Sequence, residues 1–166
     1  MNKIAKFHKV SAEQFNSAYL AQRGTNATAE VYENIKLPRR ATVGSAGYDF
    51  YAPFDFSLAP GEEITIPTGI RAEIENGYVL LIYPRSGLGF KFRLTLNNTV
   101  GVIDSDYFYS DNEGHIMVRM TNCHSEKTLS VEAGQGFAQG IFMPFGITVD
   151  DDTDGIRNGG FGSTGP

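Results

Sequence analysis

The chain has 166 residues, 41% of them hydrophobic, and its charged side chains sum to −5. This length fits one domain that buries its own core, and the single cysteine, Cys123, excludes a scaffold of internal disulfides. The acidic balance argues against direct nucleic-acid binding, because such surfaces are basic. No stretch approaches the ~18–20 apolar residues of a membrane span, and the first residues lack the apolar run of a signal peptide. We therefore expect a cytoplasmic protein that has no membrane partner.

A short helix is predicted near the start of the chain, roughly over residues 12–22. Ser11 and Gln14 have the spacing of a capping box, in which each side chain binds a free N–H group of the first turn. Phe15 begins an apolar face with helical spacing. The polar stretch 25–34 has no such spacing, and we interpret it as a linker.

From residue 36 onward the pattern predicts β-strands. Apolar and polar residues alternate in short runs that are separated by Gly, Pro and Asn. Asn76 and Gly77 suit a type I′ turn, so the two runs beside them are predicted to pair as a hairpin. Many short strands with such turns are typical of an all-β jelly roll, sandwich or barrel. The predicted strands cover residues 64–66, 71–75, 78–83, 92–96, 115–121, 128–131 and 137–142.

The last segment differs in composition from the rest of the chain. Five of its final twelve residues are glycine, so the segment has too few apolar side chains to form a core of its own. Arg157 and the hydroxyls of Ser163 and Thr164 could bind phosphate, and Phe161 could stack on a base. The segment is therefore either a disordered end or a lid over a nucleotide. The predicted regions are an N-terminal extension with a short helix, 1–35, a β domain, 36–149, and a flexible Gly-rich lid, 150–166.

Two internal segments combine residue types that suit nucleotide chemistry. Arg85 and Ser86 follow a predicted buried strand and could hold phosphates or form only a surface turn. Asn98 offers a donor and an acceptor that can match a pyrimidine edge. Asp104 follows two apolar residues and could act as a general base for a water molecule, or could make only turn hydrogen bonds.

The sequence contains little that suits a metal site built from protein ligands. Its three histidines lack the spacing of metal ligands. A Mg²⁺ ion that arrives with phosphates is the better match, because Mg²⁺ keeps several waters and binds through substrate oxygens. Asp49 is the candidate for holding one of these waters, although it could equally make a hydrogen bond at the start of a strand.

Taken in order, five short segments resemble the five motifs of the trimeric deoxyuridine triphosphatases (dUTPases). The resemblance covers about residues 36–166. It implies a β jelly roll assembled as a homotrimer, with three active sites that are each built from all three chains. It also implies hydrolysis of dUTP to dUMP and diphosphate, by attack of water on the α-phosphate with Mg²⁺ as cofactor. The segments are AGYDF at 46–50, PRSGLG at 84–89, GVIDSDY at 101–107, GFAQ at 136–139 and GGFGSTG at 159–165.

The resemblance implies a role for each matching residue. Asp104 would activate the water, Asp49 would hold a Mg²⁺-bound water, and Tyr107 would pack against the deoxyribose and leave no room for a ribose 2′-OH. Uracil would be read by Asn98, by the backbone at Val102 and Ile103, and by the strand that carries Met117. Phosphates would be held by Arg85, Ser86, Gly87 and Gln139, and a neighbouring chain would close over them with Arg157, Phe161, Gly162, Ser163 and Thr164.

The chain departs from the family pattern at three places. Gly136 stands where the fourth motif usually has a basic residue. Residues 108–113 lengthen the third motif before Gly114, and only Asn158 separates Arg157 from the glycine pair.

Two alternative functions stay open. One is a dCTP deaminase, or a bifunctional deaminase–dUTPase, on the same fold. The other is a dUTPase-like regulatory protein that uses the nucleotide as a switch for a protein partner.

Overall fold

Short β-strands dominate the part of the chain that the structure, a computed structural model, describes: residues 2–155 and residue 157. Every strand pair is antiparallel. In chain order the elements are β1 (Ala5–Lys9), α1 (Ala12–Arg23), α2 (Ala29–Glu33), β2 (Arg39–Arg40), β3 (Tyr48–Tyr51), β4 (Phe56–Leu58), β5 (Glu63–Pro67), β6 (Ile70–Ile74), β7 (Tyr78–Pro84), α3 (Ser86–Phe92), β8 (Leu94–Leu96), β9 (Gly101–Ile103), a 3₁₀ helix (Ser105–Tyr109), β10 (Met117–Asn122), β11 (Leu129–Val131) and β12 (Gly136–Pro144).

The described strands are arranged in four small sheets. The largest has the order β2-β3-β12-β7-β9, and a second has the order β5-β10-β8. The other two sheets are the pairs β1-β6 and β11-β4. Strands that are consecutive in sequence lie mostly in different sheets, as in a jelly roll. The predicted all-β class is confirmed.

The core follows from alternation along the strands, since successive side chains of a strand point to opposite faces. In β7, Leu80 and Ile82 are buried, and in β10 Val118 and Met120 are buried. These side chains come from two different sheets and pack in one apolar cluster. Burial of this cluster is what holds the sheets against each other.

The predicted N-terminal helix is confirmed as α1. Ser11 caps it, because its hydroxyl oxygen accepts the N–H group of Gln14 at 3.1 Å. The second half of the capping box is supplied from elsewhere: the Ser11 N–H group donates to a carboxylate oxygen of Glu113 at 2.8 Å. Phe15 is completely buried and anchors the helix on the β domain.

The prediction of a linker over residues 25–34 is wrong, because this stretch contains α2. Thr28 caps that helix through its hydroxyl, and the hydroxyl of Tyr32 donates to the carbonyl of Val10 at 2.7 Å. A helix of five residues is too short to produce a helical repeat of apolar positions, so its sequence signal is weak. Strand β1, which pairs with β6, and helix α3 were also not predicted.

The hairpin predicted at Asn76 and Gly77 is wrong in its pairing. A turn is present, since the N–H group of Tyr78 donates to the carbonyl of Glu75 at 3.3 Å. However, β6 pairs with β1, and β7 pairs with β12 and β9. A type I′ turn needs positive φ at both central residues, whereas here only Gly77 has it, at 86°. Such a turn splays its flanking strands, so β6 and β7 enter different sheets.

His115 is a completely buried histidine beneath α1. Its Nε2 atom accepts the N–H group of Gly69 at 2.8 Å, and its ring centroid lies 6.3 Å from that of Phe15. Because Nε2 accepts, the neutral ring carries its proton on Nδ1, and no partner for Nδ1 occurs among the described residues. Burial lowers the pKa of His115 to about 4, against the opposing charge of Glu113.

The anchoring role of Phe15 predicts a large loss of stability in Phe15→Ala. Removing a buried phenylalanine typically costs about 3–5 kcal/mol of the free energy of unfolding. The matched control is Leu20→Ala, since Leu20 lies on the same helix and its side chain is 43% exposed. Urea unfolding should show a change below about 1 kcal/mol for the control. Equal losses in the two variants would contradict the anchoring role.

The lowered pKa of His115 predicts a pH-dependent stability. Between pH 6.5 and about 4 the unfolded chain binds a proton that the buried ring does not, so the free energy of unfolding should fall as pH falls. The expected loss over this range is about 3 kcal/mol. Urea unfolding from pH 4 to 7 should show a shallower slope in His115→Gln, whose amide oxygen can still accept the Gly69 N–H group. An unchanged slope would assign the dependence to other groups.

Candidate active site

The residues predicted to bind a nucleotide fall into two groups at opposite ends of β7. Leu80 of β7 lies opposite Ile103 of β9, and this register places Asp104 beside Val79. Arg85 follows the other end of β7, six residues from Val79. At about 3.3 Å per residue, the two ends are about 20 Å apart. Within one chain, Asp104 and Arg85 therefore cannot reach the same phosphate group.

Three adjacent strands build the group around Arg85. Asp49 of β3, Gln139 of β12 and Tyr83 of β7 lie in one row across the sheet. Arg85 comes two residues after Tyr83, and its Nε atom forms an ion pair with Oδ1 of Asp49 at 3.2 Å. The amide nitrogen of Gln139 donates to the carbonyl of Pro84 at 3.1 Å. Sheet register therefore brings together Asp49, Arg85 and Gln139, which lie in three separate sequence motifs.

Two glycines leave space for these side chains. A Cβ atom at Gly47 would lie 2.7 Å from Oε1 of Gln139. A Cβ atom at Gly136 would lie 2.9 Å from Nη1 of Arg85 and 3.1 Å from its Cδ. The glycine at position 136 therefore has a local reason, because any larger side chain would displace the guanidinium group of Arg85.

Two clefts open beside Arg85. One has a volume of about 490 Å³, and Ser86, Phe90 and Gln139 are among the residues that line it. The other has a volume of about 340 Å³ and is lined in part by Gly87 and Lys91. Lys91 was not singled out from the sequence, although a cation in the last turn of α3 adds positive charge to this region.

A separate cavity of about 450 Å³ lies between the two larger sheets. Its lining includes Asn98, Ile103 and Met117, three residues to which the family resemblance assigns a role in reading uracil. Val102 is not one of them, since its side chain points away and is 49% exposed. Only the backbone of Val102 can therefore belong to a base-binding surface.

The cavity exists because β8 and β9 separate into different sheets. Each is the last strand of its sheet. An edge strand leaves N–H and C=O groups on one side free to bind a ligand, and uracil needs such donors and acceptors. Between the two strands the chain makes a tight turn in which the N–H group of Val100 donates to the carbonyl of Asn98 at 2.7 Å and Thr99 has φ of 67°.

Some residues beside this cavity are not among those predicted from the sequence. Arg119 lines it together with Asn97, and both bind the carboxylate of Glu63. The hydroxyl of Thr121 donates to the amide oxygen of Asn97 at 2.7 Å. Alternation along β10 is the signal that could have found Arg119, because it places Met117 and Arg119 on the same face.

Asp104 lies at the start of the 3₁₀ helix, where two carboxylates meet one arginine. Nη2 of Arg157 donates to Oδ2 of Asp104 at 2.6 Å, and its Nε atom donates to Oδ1 of Asp106 at 3.0 Å. The guanidinium group also lies 5.7 Å from the centre of the Tyr107 ring, so it covers that ring. Arg157 thus pairs with the carboxylates of its own chain in this structure, and its expected role at the site of a neighbouring chain stays a prediction.

Tyr107 is nearly completely buried, with 2% of its surface exposed. Its hydroxyl donates to the carbonyl of His115 at 2.8 Å. Burial raises the pKa of Tyr107 above its usual value. The remaining predicted contacts of the C-terminal segment, Phe161, Gly162, Ser163 and Thr164, lie outside the described residues.

The described residues contain no group of three or more His, Cys, Asp or Glu side chains that could hold a metal ion. Mg²⁺ often binds through substrate phosphates, waters and one or two carboxylates. Asp49, beside Arg85, fits that donor set. In the same part of the chain, no helix is long and apolar enough to cross a membrane.

The dUTPase family model matches residues 33–165. The chain belongs to the dUTPase family. It is 46% identical over 139 residues to the deoxyuridine 5′-triphosphate nucleotidohydrolase of Lactococcus lactis subsp. lactis, with 81% of this chain and 92% of that relative covered. A 43% identity over 145 residues relates it to the enzyme of the same name from Tolumonas auensis, covering 82% and 92%.

Solved dUTPase structures agree with the fold. The crystal structure of the dUTPase from Streptococcus mutans is similar with a TM-score of 0.64 and 34% identity, over 87% of this chain and 98% of that one. The likeness extends to a mutant dUTPase of phage phi11 of S. aureus, a structure described for its coordination of a structural Mg(II) ion. There the TM-score is 0.64 over 92% and 98% of the two chains, but at 19% identity this likeness concerns the fold alone. The family resemblance of the five motifs is confirmed.

Proposed function

We propose that this dUTPase-family chain hydrolyses dUTP to dUMP and diphosphate by attack of water on the α-phosphate. The observation that carries the proposal is the position of Asp104. Ile103 lines the cavity that fits a base, and Asp104 follows it directly on the chain. A nucleotide whose base occupies this cavity extends its phosphates past the Asp104 carboxylate. That carboxylate is 46% exposed, so a water molecule can reach it.

Each step of the proposed reaction is assigned to residues of this protein. Asp104 takes a proton from the attacking water, which makes the oxygen a better nucleophile. Arg85, Ser86, Gly87 and Gln139 bind the phosphate oxygens and hold the α-phosphate in line with the water. Arg157 exchanges its carboxylate partners for phosphate oxygens when the nucleotide binds, since both are anionic oxygen acceptors.

Mg²⁺ is the proposed cofactor, and it supplies positive charge that neutralises the triphosphate. Asp49 has one oxygen on Arg85, and its second oxygen is the proposed acceptor for a water of the ion. The same carboxylate therefore has two proposed tasks, since it also orients the guanidinium group that binds phosphate.

Base and sugar selection are assigned to the other end of β7. Asn98 and the backbone at Val102 and Ile103 read uracil, and Met117 narrows the cavity that must exclude the methyl group of thymine. Tyr107 packs against the deoxyribose once Arg157 moves away from its ring. A ribose 2′-OH would then meet an apolar ring face and lose its hydrogen bonds to water.

The site is proposed to be shared between chains of a homotrimer. The support is the separation of about 20 Å along β7 between the position beside Asp104 and Arg85, which one α-phosphate cannot bridge. A neighbouring chain that brings its Arg85 to this chain's Asp104 removes the difficulty. Phe145, Ile147 and Val149, which follow β12, are at least half exposed, and apolar side chains exposed together mark a surface for another chain.

The base assignment predicts that Asp104→Asn lowers kcat about 10²–10⁴-fold and leaves the Kd for a non-hydrolysable dUTP analogue within a few-fold. The matched variant is Asp106→Asn, which also loses an ion pair with Arg157 but is not the proposed base. If both variants lose the same activity, the loss of the contact with Arg157, and not the loss of a general base, is responsible.

Parallel assays with dCTP test the deaminase alternative. A wild-type chain that binds dUTP without turnover would indicate the regulatory alternative.

The shared site predicts that two inactive variants complement each other. Asp104→Asn and Arg85→Ala chains, refolded together in equal amounts, should regain roughly a quarter of the wild-type activity by random assortment into a closed ring. Each variant refolded alone is the control. Light scattering should give the mass of a trimer. Activity no higher than that of the separate variants would place Asp104 and Arg85 in a site within one chain.

A further inference from the structure

The segment that lengthens the third motif, residues 108–113, has no part in the reaction proposed above. Two of its side chains reach in different directions. Asn112 contacts Tyr107, and Glu113 contacts the first residue of the α1 cap, Ser11. The segment therefore connects the N-terminal helix with the residue that is proposed to select the sugar.

Asn112 fixes the far end of the Tyr107 side chain. Its Nδ2 atom donates to the Tyr107 hydroxyl at 2.9 Å, and that hydroxyl donates to the carbonyl of His115 at 2.8 Å. The phenol therefore has both an acceptor and a donor partner in the fold. A ring held at its Cα and at its hydroxyl cannot swing toward or away from a bound sugar.

Asn112 is itself held in place by its own loop. Its amide oxygen accepts the N–H group of Gly114 at 3.2 Å, and its carbonyl accepts the N–H group of His115 at 3.1 Å. Gly114 has φ of 67°, and a Cβ atom there would lie 2.7 Å from the carbonyl oxygen of Tyr107. The loop thus packs directly on the backbone of Tyr107, and only glycine fits at position 114.

The neighbouring residue ties this loop to α1. Glu113 has φ of 58°, which is unfavourable for a residue with a side chain. Its carboxylate accepts the Ser11 N–H group at 2.8 Å and the Ser11 hydroxyl at 2.6 Å, and Arg71 lies 4.0 Å away. These contacts offset the cost of the backbone conformation, because charge-assisted hydrogen bonds are strong.

We propose that Asn112 is a positioning residue for sugar selection: it holds the Tyr107 ring at the distance from the deoxyribose that excludes a 2′-OH. The proposal rests on the proposed function, in which Tyr107 contacts the sugar. Asn112 does not touch the substrate and acts only through the tyrosine. Without this hydrogen bond the Tyr107 hydroxyl is held less firmly, so the ring can shift slightly away from the sugar and a ribose then fits better.

The test is the ratio of kcat/KM for dUTP to kcat/KM for UTP in Asn112→Leu, a variant of similar size that cannot hydrogen-bond. We expect this ratio to fall about threefold to tenfold, the range that one hydrogen bond typically contributes. The fall should come mainly from a gain with UTP. The matched control is Asp111→Leu, an exposed neighbour in the same loop, in which the ratio should not change.

A second variant covers the case in which Asn112→Leu folds poorly. Tyr107→Phe removes the same hydrogen bond together with the one to the carbonyl of His115, so it should lower the ratio at least as much as Asn112→Leu does. The double variant should lose no more than Tyr107→Phe alone, because the hydrogen bond that Asn112→Leu removes is already absent there. Circular dichroism and thermal unfolding report on folding, and a purely structural role would change the unfolding temperature without changing the ratio.

The outcomes separate this proposal from the function on which it rests. If the wild-type chain does not prefer dUTP to UTP, the proposed function fails. If the wild-type chain prefers dUTP and Tyr107→Ala loses that preference, while Asn112→Leu and Tyr107→Phe keep it, only the positioning proposal is wrong. A ratio that falls equally in Asp111→Leu would also overturn it.

Discussion

The antiparallel pairing of β7 with β12 and β9 is the constraint on which the site depends. Pairing with β12 along the whole strand places Gln139 and Asp49 in one row beside Tyr83, so that Arg85 meets Asp49. Pairing with β9 at the other end fixes Ile103 and, next to it, Asp104. A slip of one residue in either ladder would turn every side chain of the strand to the opposite face, so both groups of residues depend on the same register.

The same strand also separates the two groups. Strands keep a fixed rise per residue, so the end of β7 beside Asp104 and the end that leads to Arg85 stay about 20 Å apart. The proposal that each end of the strand carries half a site therefore requires halves from different copies of the chain. The proposed shared site would connect oligomerisation with catalysis, and a neighbouring chain would cover the exposed apolar side chains of Phe145 and Ile147.

The N-terminal extension is joined to the β domain by more than apolar packing. Phe15 supplies the apolar contact, while Glu113 completes the cap of α1 from a position 102 residues away. The loop that carries Glu113 also carries Asn112, which binds Tyr107. A contact made by the helix cap and a contact made beside the proposed sugar site thus share one short loop, with the positive φ of Glu113 and Gly114 allowing its sharp turn.

The sequence by itself determined what local rules govern: the all-β class, α1 with its Ser11 cap, and the family through motifs that carry Arg85, Asp104 and Gln139. These depend on neighbours in the chain. The tertiary structure alone decided that β6 and β7, on either side of the Asn76–Gly77 turn, pair with other strands and not with each other. It also decided that Val102 faces away from the cavity between the two larger sheets and that Gly136 makes room for Arg85. Arg157 and Glu113 likewise bind partners that lie far along the chain. Pairing and packing between distant segments depend on burial of the whole core, and a local pattern of residues does not specify which distant segments meet.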